Sequence, residues 1–182
     1  EPYFYPFEND LLYKYMNSST VYFEFGSGGT THQAAKRRLK IYTVEAADCW
    51  VSQIKRDIEK IKKSLKKFDV DITYLVSDIQ TDIDPPRENI FKYIKMYNHT
   101  KYNADLILIN GRFNLACLMN VYQEIDNKTI VFLHQPENRD FKNDFIKFFD
   151  IIEKGNFSYV LRRKSYRPKL SEKALSDIEN LK

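Results

Sequence analysis

Cysteine is nearly absent: Cys49 and Cys117 are the two the chain has, far apart in sequence. They make neither a disulfide framework nor a zinc-binding spacing, so a reducing compartment fits and a cytoplasmic protein is expected. No apolar run approaches the ~20 residues a bilayer-spanning helix needs, which excludes a helical membrane protein. Low-complexity stretches and internal repeats are absent. The formal net charge is only +4, too small an excess to argue by itself for a nucleic-acid partner, whose footprint needs charge concentrated on one face. The first residues, Glu1-Pro2-Tyr3, form neither a signal peptide nor a natural start, so a processed chain or one domain of a longer protein is expected.

What the chain does have is material for a core. Of 182 residues, 43% are hydrophobic and 30% charged, enough for one folded domain and not a disordered tail. Thirteen Tyr and 13 Phe serve packing and stacking on flat ligands.

Strand-length apolar runs alternate with stretches of helical period. Tyr22 to Phe25 reads as a first strand, ending in Gly26-Ser27-Gly28-Gly29. Thr30 to Arg38 reads as a helix capped by Thr30 or Thr31. Ile41 to Val44 is a second strand ended by Glu45, and Asp48 opens the clearest helix, in which Val51, Ile54, Ile58, Ile61, Leu65 and Phe68 form one apolar stripe. Further strands are expected at Ile72–Val76, Asp105–Ile109, Thr129–Leu133 and Phe157–Leu161, with helices at Glu88–Tyr97, Phe113–Glu124 and Phe141–Glu153. Flanking helices are expected at Asn9–Met16 and Ser171–Asn180. This alternation predicts a three-layer α/β sandwich, a Rossmann-like, mostly parallel sheet of six or seven strands with helices on both faces. We expect a single domain with an N-terminal segment (1–19), a core (20–163) and a basic C-terminal segment (164–182).

Such a sheet binds its ligand beyond the carboxyl ends of the strands, beside strand one. That rule selects Gly26 to Thr30, Glu45, Ser77-Asp78, Asn110 to Arg112 and His134-Gln135, all just after a strand. Clustered glycines let a ligand approach the backbone, and loop amides would face it. A carboxylate after strand two is placed to accept both hydroxyls of a ribose. Together these features predict a nucleoside-containing ligand. The phosphate-cradling Gly-Lys-Ser/Thr is missing, and the dinucleotide fingerprint lacks its third glycine, where Thr31 stands. Glu24, two residues before the first glycine, would repel a pyrophosphate but attract a cationic amino or sulfonium group.

With these residues in view, Val21-Tyr22-Phe23-Glu24-Phe25-Gly26-Ser27-Gly28-Gly29-Thr30-Thr31 resembles motif I of class I S-adenosylmethionine-dependent methyltransferases, and Val44-Glu45 resembles motif II. Asp105 to Phe113 is similar to a D-L-I-L-I-D-G-R-F segment of a small branch of that superfamily. His134-Gln135, Asn138-Arg139 and Phe148 to Glu153 are similar to its H-D, N-R and F-F-D-x-x-E segments. The resemblance spans roughly residues 20 to 163. It implies S-adenosyl-L-methionine as cofactor, with Glu24 at the methionine amino group and Gly26, Ser27, Gly28, Gly29 and Thr30 along the methionine and ribose. Glu45, with Ala46 beside it, would hold the ribose hydroxyls, and Ser77, Asp78 and Ile79 would flank adenine. Trp50 either packs near the adenine or anchors its helix, and Asp78 either meets the adenine or caps a turn.

The chain departs from the branch at Asn110 and Gln135, where the branch has aspartates. Two amides in place of two carboxylates argue against a catalytic Mg²⁺, which takes hard, mostly anionic oxygen ligands, and no metal site is expected. As catalytic residues we expect His134 as base near the transfer point, Arg112 to orient the acceptor by its planar fork, and Asn110, which is expected to contact the cofactor as well. A satisfied strand-end histidine and a surface arginine are the plainer alternatives, while His32 is expected to pack or cap and His99 to lie in a loop. The basic face of the long helix reads as solvated, and Asp84-Pro85-Pro86-Arg87 lacks the tyrosine of an amino-methylating motif, so a nucleic-acid acceptor is not favoured. A small-molecule or glycan hydroxyl acceptor is expected. A catalytically silent cofactor-binding module and a nucleic-acid methyltransferase are the alternatives.

Overall fold

The computed structural model describes residues 6–45, 48–64, 70–76, 86–134 and 145–166. Helix α1 (Pro6–Met16) precedes strand β1 (Val21–Phe25). Then come α2 (Gly29–Lys36), β2 (Lys40–Glu45), α3 (Asp48–Ser64), β3 (Ile72–Val76), α4 (Arg87–Ile94) and a short α5 (His99–Tyr102). The chain continues with β4 (Leu106–Ile109), α6 (Asn114–Glu124), β5 (Ile130–His134), β6 (Phe149–Lys154) and β7 (Ser158–Arg163). The seven strands form one sheet in the order β3-β2-β1-β4-β5-β7-β6. The first five are parallel, β7 is antiparallel to β5, and β6 is antiparallel to β7. The Rossmann-like sheet covered on both faces is thus present, with the order reversing between β1 and β4.

Alternate residues of each strand serve alternate faces. Tyr22, Ile41, Leu106, Leu108, Phe132 and Val160 pack with Leu12 and Met16 of α1, Ala34 and Ala35 of α2, and Ile54 and Ile58 of α3. On the other face Phe23, Phe25, Ile107, Ile109, Val131, Leu133 and Leu161 pack against α4, α5 and α6, where Tyr93, Tyr97, Tyr102 and Tyr122 are buried. All four residues of β4 are buried, as a strand covered on both faces requires. The α3 stripe holds from Val51 to Ile58, with Ile61 partly covered; Leu65 and Phe68 lie outside the described residues.

Three expectations are corrected. The helix expected at Phe141–Glu153 is not formed over its second half: Phe149–Lys154 is the edge strand β6. The reason is non-local. Gly155 N–H donates to Ser158 O at 2.9 Å, closing a turn that folds β6 back on β7, and that pairing overrides an apolar spacing compatible with a helix. The strand expected at Phe157–Leu161 begins one residue later, extends to Arg163 and is antiparallel. His99, expected in a loop, opens α5, where Asn98 caps the turn by accepting from Lys101 N–H at 3.0 Å. The helix expected at Ser171–Asn180 and residues 141–144 lie outside the described residues.

Candidate functional site

Strand order reverses at the carboxyl ends of β1 and β4, the place where open α/β sheets bind their ligands, and glycine lets the two strand ends approach. Gly26 ends β1 with φ +92°, and a Cβ there would come within 3.0 Å of Asn110 O and of Gly111 Cα. Gly111 mirrors it after β4: a Cβ there would meet the Tyr93 hydroxyl at 2.2 Å and the Phe25 carbonyl carbon at 3.1 Å. Both positions therefore exclude side chains, one by conformation and contact, the other by contact alone. Gly28 differs. Its φ of 169° is ordinary extended backbone, and a Cβ there would meet nothing within 4 Å. Gly28 faces open space.

The loop is held in place from beneath and from the side. Glu24 is fully buried, and its carboxylate accepts from Tyr22 Oη at 2.9 Å, from Thr30 Oγ1 at 2.7 Å, and from the Thr31 hydroxyl. Gly28 N–H donates to that same Thr31 Oγ1 at 2.8 Å, so the carboxylate fixes the loop through the first turn of α2. Burial lifts the Glu24 pKa from 4.5 to about 7, against the pull of the hydroxyls. Its expected place at a ligand amino group is thus, in this structure, a place under the loop, closed to solvent. On the β2 side, Glu45 accepts from Ser27 N–H at 3.0 Å and from Ser27 Oγ at 2.8 Å. Trp50 donates its indole N–H to Ser27 O at 2.7 Å while its side chain stays 41% exposed. The bond ties Trp50 to the glycine loop, not to its own helix.

Across from this loop, Asn110 follows β4 and His134 ends β5. Asn110 Oδ1 lies 2.7 Å from His134 Nδ1. An amide oxygen only accepts, so His134 carries its proton on Nδ1. The ring is 3% exposed, and burial lowers its pKa from 6.5 to about 4 while the Glu8 carboxylate pulls the other way. It is a neutral imidazole at physiological pH. Asn114 Nδ2 donates to His134 O at 3.1 Å, tying the start of α6 to the strand end. Arg112 is half-buried, its guanidinium 5.3 Å from the centre of the Phe113 ring. Phe113 takes a left-handed conformation (φ 56°) to start α6.

The structure therefore brings Glu24, Gly26, Ser27, Gly28, Gly29, Thr30, Glu45, Trp50, Asn110, Arg112 and His134 to one edge of the sheet. Ala46, Ser77, Asp78, Ile79 and Gln135 lie outside the described residues. Among the described residues no group of three His, Cys, Asp or Glu gathers around a common point that would hold a metal ion. Sequence reasoning missed Tyr93, which buttresses Gly111, and Glu8 and Ser158, which lie beside His134. The isolated Gly111 just past β4 is the one local signal for the first, and nothing local marks the other two.

No sequence family matches the chain, and no curated protein matches it. Solved structures do. A methyltransferase-like protein of Silicibacter pomeroyi superposes with a TM-score of 0.70 at 17% identity, over 98% of this chain and 94% of that one. A proposed caffeoyl-CoA O-methyltransferase from Staphylococcus aureus gives 0.60 at 11% identity, over 90% and 86%. The SAH-bound methyltransferase PaMTH1 of Podospora anserina gives 0.54 at 11%, over 85% and 76%. What this chain shares with these methyltransferases is the fold.

Proposed function

We propose that the protein binds S-adenosyl-L-methionine across the carboxyl ends of β1, β2 and β4 and methylates a hydroxyl of a small acceptor, a sugar or glycan in the first instance. The observation that carries this reading is the glycine loop: it is pinned on three sides by Glu24, Glu45 and Trp50, yet presents Gly28 to open space at the point where strand order reverses. The similarity of fold to SAH-bound PaMTH1 and to a proposed O-methyltransferase supports it.

The residues present suit such a cofactor. Space over Gly28, a carboxylate at the tip of β2 and a half-exposed indole beside it match a chain, a ribose diol and a flat base. When bound, the sulfonium supplies the methyl group and a positive charge that vanishes on transfer. The protein's part is alignment and exclusion of water. Glu24 and the two threonines keep the loop from collapsing into the crevice. Asn110 fixes the His134 tautomer, leaving Nε2 as the ring's proton-accepting nitrogen. With a pKa of about 4, this imidazole stays unprotonated at neutral pH but drives proton removal weakly. Arg112, at the start of the β4–α6 connection, is placed to orient the acceptor.

That weak base favours a second reading, a cofactor-binding module without turnover. The two readings share the cofactor and part at chemistry. Glu45→Ala is expected to weaken binding of the methyl donor about 10- to 100-fold by calorimetry, as loss of charge-assisted hydrogen bonds to a diol entails. Unchanged affinity would show that the cofactor lies elsewhere. Methyl transfer to a pool of hydroxylated acceptors, present in the native chain and reduced in His134→Ala at unchanged donor affinity, separates the enzyme from the silent module.

A further inference from the structure

Asn110, His134 and Ser158 stand side by side at the carboxyl edge of the sheet. Ile109 pairs with Leu133, which places Asn110 next to His134, and His134 pairs with Ser158. All three follow the alternation of Leu108, Phe132 and Val160, so they share the face that α1 covers. From α1, Glu8 enters this row. Its Oε1 accepts the Phe157 N–H at 2.9 Å. Its Oε2 is buried and has no hydrogen-bond partner, and the same holds for Ser158 Oγ. The Glu8 carboxyl group and the Ser158 hydroxyl both border Gly155, where a Cβ would lie 2.3 Å from Ser158 Oγ and 3.0 Å from Glu8 Oε1, the oxygen bonded to Phe157. Glu8 and Ser158 are 0% and 1% exposed.

A buried carboxylate oxygen without a donor costs free energy that a satisfied one does not. Its natural complement is a cationic donor, and a hydroxyl beside it adds a further hydrogen-bonding group to the same ligand group. We infer that Glu8 and Ser158 form a seat for an ammonium group of the methyl acceptor, which would make the acceptor an amino alcohol or amino sugar whose hydroxyl lies toward His134. This rests on the proposed methyl transfer and names its substrate class. His134 links the two ends of the row. It touches Asn110 beside the cofactor crevice on one side and feels the Glu8 carboxylate on the other. A second, purely structural role of Glu8 is visible in its bond to Phe157 N–H, and that role survives replacement by glutamine.

The test compares amino alcohols with their neutral counterparts on the full chain saturated with SAH: glucosamine against glucose, ethanolamine against ethylene glycol, and serinol against glycerol, by calorimetry at neutral pH. The expected result is at least tenfold tighter binding of one or more amines than of the matched neutral compound. Glu8→Gln removes that preference, Ser158→Ala weakens it severalfold, and SAH affinity stays unchanged in both. Equal binding or no binding by every pair, or a preference that survives Glu8→Gln, overturns the inference. Should Glu8→Gln fail to fold, the native comparison and Ser158→Ala decide. Failure of SAH to bind the native chain would instead overturn the cofactor reading, so the two failures are distinguishable.

Discussion

Three residues within five positions carry different burdens, and substitution separates them. Gly26 is confined by its positive φ and by backbone at 3.0 Å, so Gly26→Ala is expected to cost about 2 to 3 kcal/mol of stability in denaturant titration. Gly28 has no such constraint, and Gly28→Ala is expected to fold with unchanged stability and to lose cofactor affinity, because the added methyl enters the ligand's space. A stable Gly28→Ala variant with native affinity would show that this space is not used. Glu24 makes a different prediction. Its pKa is 4.5 when exposed and about 7 in the fold, so the folded protein holds a proton between those values that the unfolded chain has released. The stability it contributes is full below about pH 4.5 and is lost as pH rises through 7, by ~3 kcal/mol in all. Relative to Glu24→Gln, the native protein is expected to lose that amount between pH ~5 and ~8 in urea titrations; parallel curves would contradict the assignment.

Among the elements, α1 shows which interactions hold a helix on the sheet. Lys14 Nζ lies 2.7 Å from Glu153 Oε1, the Tyr15 hydroxyl bonds the same carboxylate, and Glu8 bonds the Phe157 amide. These bonds fasten α1 to the β6–β7 hairpin, yet Lys14 is 60% exposed, and an exposed pair contributes under about 1 kcal/mol. Leu12 is wholly buried between α1 and the sheet. Leu12→Ala is therefore expected to cost about 3 kcal/mol and Lys14→Ala less than 1 kcal/mol in chemical denaturation. The reverse ranking would mean that polar clamps, not apolar burial, dock the helix. The same hairpin marks where local sequence stops informing. Phe148, Phe149 and Ile152 fit a helical stripe as well as a strand, and only pairing with β7, fixed by the Gly155 turn, decides between them.

At the scale of the molecule, the parallel half of the sheet was legible because each strand is an apolar run ending in a polar or glycine-rich junction, and each helix has its own stripe. The positions of Gly26, Glu45, Asn110 and His134 were legible for the same reason: each is at or just past a strand's end. Glu8 was not, since its partner Phe157 lies 149 positions away, and Tyr93 was not, since its reason for being there is the absent side chain of Gly111. Trp50 is the only tryptophan, and its indole N–H is bonded to the glycine loop proposed to lie against the cofactor. Titration with SAH, followed through that single indole N–H resonance and the amides of Gly26 to Gly29, reports whether the cofactor binds at this loop. We predict saturable one-to-one shifts centred on these signals. An indole resonance unmoved at saturating SAH, or shifts confined to the amino ends of the strands, would contradict it.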